Sequence, residues 1–125
     1  MLHSALFGAA PAADAHLAVD SDDVVGFALW FVTFSTWLAR PGIYLEDLFV
    51  RPSARRQGHG RALLLELARI AAERGYGRLE WAVLDWNVDA QAFYRSLGAQ
   101  PMDEWTTWRV TGEALERLGR SAPVL

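Results

Sequence analysis

The apolar positions of this chain change their period several times between Ala15 and Leu118, and the changes mark out its elements. Ala15–Asp20 is a short extended candidate and Ser21-Asp22-Asp23 a turn. Val24–Phe34 follows, rich in β-branched and aromatic residues, so the three together predict a hairpin. Arg40-Pro41-Gly42 is expected to break the chain, after which Ile43–Val50 reads as a largely buried strand ended by Arg51-Pro52. From Gly58 to Arg74 the residues Leu63, Leu64, Leu67, Ala68, Ile70 and Ala71 recur at helical spacing, and Gly75 supplies the stop. Arg78–Leu84 predicts a further strand. Asn87 is placed to cap a helix running to about Leu97 and halted by Gly98. Trp105–Val110 reads as extended, and Thr111 can cap a last short helix, Gly112–Leu118, ahead of a frayed tail.

Strand, glycine turn, helix, strand, helix, strand describes an α/β (α+β) sandwich. We expect one domain over residues 1–125, with a loose start at 1–14 and a tail at 119–125. The length and an apolar content of 52% suit a single packed core. A dinucleotide-binding unit is the nearest rival architecture. Gly58-x-Gly60 lacks its third glycine, however, and Asp85 is poorly placed to serve as the ribose-binding acid.

Composition narrows the chemistry. With no cysteine there is no disulfide framework or thiolate metal site, and the histidines are scattered at His3, His16 and His59, so no metal is expected. The strongest apolar run, Val24–Phe34, is shorter than the roughly 20 residues of a membrane-spanning helix. Met1–Ala13 contains Ala-Pro-Ala-Ala but no basic start and no sustained apolar centre. It reads as mature sequence, and the expectation is a soluble, cytoplasmic protein with no membrane partner. The net charge of −3 is uneven: residues 51–61 carry Arg51, Arg55, Arg56 and Arg61 without an acid, while eight arginines face fifteen acids elsewhere. That polarity suits a local anion and a cationic substrate, whereas nucleic acid would call for a broader basic face. Every basic residue is arginine, whose planar fork matches phosphate oxygens.

Candidate chemistry lies in Tyr44-Leu-Glu-Asp-Leu-Phe-Val50 and in the Arg55–Arg61 turn that follows it. Adjacent acids within an apolar strand are costly to bury unpaired. Glycines at a helix start expose main-chain N–H groups that, with the helix dipole, hold an anion. A phosphorylated cofactor beside a proton acceptor points to group transfer. Burial among Tyr44, Leu45, Leu48 and Phe49 is expected to favour a neutral carboxyl, as a general base requires. Successive strand side chains face opposite ways, so Glu46 and Asp47 can share a site only if a bulge intervenes. Tyr94 lies two turns after Asn87, on the same side of the short helix. The plainer alternatives are an ordinary strand-to-helix turn, two exposed edge-strand acids and a tyrosine packed on Phe93. The six tryptophans are expected mostly in the core.

Arg55-x-x-Gly58-x-Gly60 after a strand resembles the hallmark of the GCN5-related N-acetyltransferase (GNAT) family. Tyr44–Val50, Asp85-Trp86-Asn87 and Phe93-Tyr94-x-x-x-Gly98 resemble its diamine acetyltransferase branch, the spermidine/spermine and thialysine enzymes, in order and spacing. The resemblance implies a mostly antiparallel central sheet flanked by helices, and acetyl-coenzyme A as co-substrate. Its pyrophosphate would be received around Arg55, Arg56, Gln57, Gly58, His59, Gly60 and Arg61. It further implies a bulge that splays the strand, so that main-chain groups of Leu48, Phe49 and Val50 bind the pantetheine arm and one N–H near Leu48 or Phe49 polarises the thioester. Glu46 would then be the base, acting through an ordered water. Asp47 would bind the substrate ammonium, Tyr94 would be the general acid, and Asn87 would face the cofactor arm. Trp37 and Trp108 would line the path of the substrate's alkyl chain. Ser35 and Thr106 stand where the branch often places acids, which counts against long polyamines. Members usually begin with a further strand and one or two helices for which this chain has no room. The resemblance implies an N-acetyltransferase that moves acetyl to a primary amine by direct attack, with a truncated or degenerate cofactor-binding module without turnover as the alternative, and a homodimer whose partner covers the exposed edge. A small amine is the expected substrate.

Overall fold

The computed structural model describes residues 13–121 and residue 123. They form two compact units divided after Leu84. Most of the Met1–Ala13 segment lies outside the described residues.

The first unit is a four-stranded sheet in the order β1-β2-β3-β4, with β1 Asp14–Asp20, β2 Asp23–Ser35, β3 Arg40–Val50 and β4 Leu79–Glu80. The predicted hairpin is present. Ser21 and Asp22 turn it with φ of 51° and 67°, the left-handed pair whose twist matches the flanking strands. The antiparallel pairing continues from β2 into β3, but the second turn falls at residues 36–39 rather than at Arg40-Pro41-Gly42. Three local features displace it. The Ser35 hydroxyl accepts the Leu38 N–H at 3.1 Å, Ala39 supplies a φ of 54°, and Gly42 is needed inside the strand, where a Cβ would sit 3.1 Å from the Arg78 carbonyl oxygen.

Helix α1, His59–Glu73, carries the chain from β3 to β4, which lies parallel to β3. Its apolar stripe is the predicted one except at Ala68, which is exposed. Leu63, Leu64, Leu67, Ile70 and Ala71 are buried together with Ala28, Trp30, Ile43 and Leu45 of the sheet. Gly75 closes the helix at φ 71°. The Tyr76 N–H reaches the Ala71 carbonyl at 2.9 Å and the Gly75 N–H that of Ala72 at 3.2 Å, the paired bonds of a Schellman stop.

Two predicted strands are corrected. Arg78–Leu84 pairs only at Leu79 and Glu80, opposite Ile43 and Tyr44, because β3 changes register immediately beyond. Trp105–Val110 joins no ladder among the described residues; β-propensity alone does not make a strand without a partner row of hydrogen bonds. The tryptophans are corrected too. Trp30 alone is in the core, Trp81 is half-buried, and Trp37, Trp86, Trp105 and Trp108 are exposed.

The second unit contains α2, Val88–Ser96, and α3, Gly112–Arg120. Asn87 caps α2 as predicted, its Oδ1 accepting the Ala90 N–H at 3.2 Å, and Gly98 ends it at φ 93° with the same Schellman pairing. Thr111 is the N-cap position of α3, without a side-chain bond, and this helix runs two residues beyond Leu118. No helix among the described residues is long and apolar enough to cross a membrane.

Gly26 of β2 lies flat against the end of β3, where a Cβ would meet the Phe49 carbonyl oxygen at 2.6 Å. Because the obstacle is backbone, Gly26→Ala is expected to cost about 1–3 kcal/mol, as overpacked sites do, read as a lowered denaturant midpoint.

Candidate active site

The bulge expected in β3 is present. Asp47 pairs with Leu29 and Leu45 with Trp30, so Glu46 is the extra residue opposite no partner. Leu45 is buried under α1 and Leu48 sits opposite the buried Ala28, which places both on the helix face of the sheet. Glu46 and Asp47 therefore fall together on the other face. The one-residue insertion brings side by side two carboxylates that a regular strand would separate. Both are exposed, which corrects the expectation of acids buried among Tyr44, Leu45, Leu48 and Phe49. The apolar neighbours pack on either side of the bulge rather than over it.

The same insertion changes which main-chain groups look away from β2. Upstream, the Ile43 N–H faces outward and donates to the Arg78 carbonyl at 3.0 Å. Downstream, the Arg51 N–H faces inward to the Val25 carbonyl at 2.7 Å, so alternation turns Leu48 and Val50 outward and Phe49 inward. Among the described residues no strand pairs with that outward edge beyond Tyr44. Leu48 thus offers an open N–H and carbonyl and Val50 an open N–H, the Val50 carbonyl being taken by the Arg55 guanidinium at 2.9 Å. Phe49 instead contributes its ring, 5.9 Å from that of Phe27 and under the Arg55 guanidinium at 5.8 Å.

After β3 a 3₁₀ turn, Pro52–Ala54, leads into the glycine loop. Arg56 and Gly58 both take left-handed φ, 66° and 85°, and Gly58 is the N-cap of α1 without a side-chain bond. Among the described residues no acceptor takes the main-chain N–H groups of Arg56, Gln57, Gly58, His59, Gly60 or Arg61. Successive N–H groups in such a turn converge on a concavity, and the helix dipole adds to its positive potential. A Cβ at Gly58 would meet nothing within 4 Å, so the space in front of the loop is open. These donors fit a diphosphate.

The four arginines around this loop divide by role, which the sequence did not reveal. Arg51 donates to the Val24 carbonyl at 2.7 Å and Arg55 to the Val50 carbonyl at 2.9 Å, so both tie the loop to the strand ends. Arg56 and Arg61 are exposed and have no side-chain partner among the described residues. His59 presents its N–H to the loop while its imidazole turns beneath, Nε2 lying 3.6 Å from the Asp20 carboxylate at the β1–β2 turn. That link joins residues 39 positions apart and carries no sequence signal.

Trp37 is 94% exposed at the tip of the β2–β3 hairpin. Glu46 lies six residues along β3 from Arg40, roughly 20 Å at strand rise, so one chain does not bring Trp37 to the acids. In the second unit, Trp108 is 91% exposed and the Tyr94 ring lies 5.6 Å from that of Phe93. Burial removes hydration from the Tyr94 phenolate and raises its pKa above the ordinary 10.0, so the phenol holds its proton throughout the neutral range.

The Acetyltransferase (GNAT) family model matches residues 3–99. The chain is 45% identical over 97 residues to the L-ornithine N5-acetyltransferase NATA1 of Arabidopsis thaliana, covering 78% of this chain and 42% of that protein. It is 43% identical over 98 residues to the thialysine N-epsilon-acetyltransferase of Bos taurus, covering 76% of this chain and 57% of the relative. The chain thus spans about half the length of these curated relatives. Among solved structures, the integron cassette protein VCH_CASS6 from the mobile metagenome of V. cholerae superposes with a TM-score of 0.84 at 35% identity, over 92% of this chain and 71% of that one. Sheet, bulge and glycine loop define an acyltransferase-type scaffold. The chain belongs to the GNAT acetyltransferase family.

The phenol gives a test of the electrostatics around Tyr94 in the second unit. Ultraviolet titration is expected to show a phenolate step, removed by Tyr94→Phe, at a pH above the ordinary tyrosine value of 10.0. The unfolded chain loses this proton first, so the group's contribution to stability is complete below that ordinary value. It is lost as pH rises through the folded-state pKa.

Proposed function

We propose that this chain is an N-acetyltransferase domain that moves acetyl from acetyl-coenzyme A to a primary amine of a small substrate, by direct attack and without a metal. The carrying observation is a single strand that bears the paired acids at its bulge and runs straight into a loop of unclaimed N–H donors. The relatives named for ornithine N5 and thialysine Nε favour a lysine-like amino acid or a diamine over a long polyamine. The replacement of branch acids by Ser35 and Thr106 agrees.

Coenzyme A supplies the acetyl thioester. The N–H groups of Arg56–Arg61 hold its diphosphate, the Leu48 carbonyl and the Val50 N–H pair with the pantetheine arm, and the Leu48 N–H takes the charge that develops on the carbonyl oxygen. Asp47 receives the substrate ammonium. Glu46, open to solvent, removes its proton through a water; the freed nitrogen bonds to the carbonyl carbon as the carbon–sulfur bond breaks, and the second proton that it sheds on becoming an amide passes to the medium. Tyr94 gives its proton to the departing sulfur and regains one from the medium, and Asn87 fixes the start of the helix that carries it. Trp37 and Trp108 supply aromatic faces for methylenes and ammonium groups. Because Trp37 projects from the far end of the hairpin, it serves the acceptor site of a second copy in a homodimer, an assembly that would also cover the exposed β1 edge. Neither nucleic acid nor membrane enters this reading, which is that of a cytoplasmic enzyme.

Calorimetric titration with acetyl-coenzyme A, followed by thiol release with diamines, thialysine-like amino acids and aminoglycosides, tests the reading. Binding with release for at least one amine is the expected result. Binding without release for any of them would leave a degenerate cofactor-binding module. Glu46→Gln is expected to lower kcat about 10²-fold and displace the pH–rate profile with cofactor affinity unchanged, whereas Gly58→Val abolishes cofactor binding.

A further inference from the structure

Arg56 occupies a backbone conformation that disfavours it. Its φ of 66° is left-handed, a region glycine enters freely and a residue with a Cβ enters at a cost. The side chain does nothing visible to offset that cost within the protein. Arg56 is exposed and makes no hydrogen bond, ion pair or aromatic contact among the described residues, in contrast to Arg51 and Arg55, whose guanidiniums hold carbonyls of β2 and β3. A free cation thus stands at the mouth of a loop whose main-chain donors already suffice for a diphosphate.

Coenzyme A carries one more anionic group, the 3′-phosphate of its ribose, a dianion that the main-chain cradle does not account for. A planar guanidinium gripping two phosphate oxygens is the side chain suited to it. We propose that Arg56 is the residue that selects for this 3′-phosphate, so that the domain discriminates coenzyme A from its dephospho form. The inference rests on the cofactor reading above. It assigns Arg56 a role apart from the diphosphate contacts of the loop.

The test uses Arg56→Gly, which the left-handed backbone accepts, and Arg56→Gln, which keeps a Cβ but loses the charge. Coenzyme A and dephospho-coenzyme A are titrated calorimetrically into each protein, and melting temperatures are taken without ligand. The native protein is expected to bind coenzyme A about tenfold or more tightly than the dephospho form, the worth of a charge-assisted contact. Both variants should lose that preference while retaining the affinity for dephospho-coenzyme A, and Arg56→Gly should melt no lower than the native chain. Equal losses for the two ligands would place Arg56 on the diphosphate and overturn the proposal, as would unchanged selectivity or a marked fall in melting temperature on Arg56→Gly. Failure of the native protein to bind either ligand would instead remove the cofactor reading itself.

Discussion

A single inserted residue, Glu46, governs the functional half of this fold. Up to Tyr44 the strand β3 is an ordinary interior strand, paired with β2 on one side and β4 on the other. One extra residue then reverses which main-chain groups face each neighbour, and the parallel ladder to β4 ends just before it. The reversal ends the sheet bonding to β4. In return it leaves the outward groups of Leu48 and the Val50 N–H open, and sets Glu46 and Asp47 on one face.

The helix makes that opening usable. Leu63, Leu64 and Leu67 anchor α1 on Ala28, Trp30 and Leu45, and this packing fixes where its first turn can lie. Arg55 then ties the loop to the Val50 carbonyl, so the N–H donors start within a few residues of the open edge. Cradle and edge are successive parts of one path, positioned by a core that takes no part in the chemistry.

Much of this was legible in the sequence because it is local. Helix α1 follows from the spacing of its leucines, both helix stops follow from Gly75 and Gly98, and the Asn87 cap follows from its place before Val88. What could not be read depends on partners distant in the chain. The length of β4 is set by a register change in β3, so its β-branched and aromatic continuation carries no warning. Trp37, Trp86, Trp105 and Trp108 look like core by residue type, yet all four are exposed and Trp30 is the tryptophan that is buried. Four arginines in one segment look alike, although two are spent on carbonyls of β2 and β3. The paired acids needed both sources: sequence marked them, and only the register showed that they share a face.

The open edge beyond Tyr44 has a bearing on how the protein behaves at high concentration. A strand edge with free N–H and C=O groups is a template for another strand, whether from a ligand arm or from a neighbouring chain. Leu48 and Val50 do not distinguish between the two. A ligand bound along that edge would also be a stopper against edge-to-edge aggregation, so the opening in the sheet and the colloidal liability of this domain are the same few atoms.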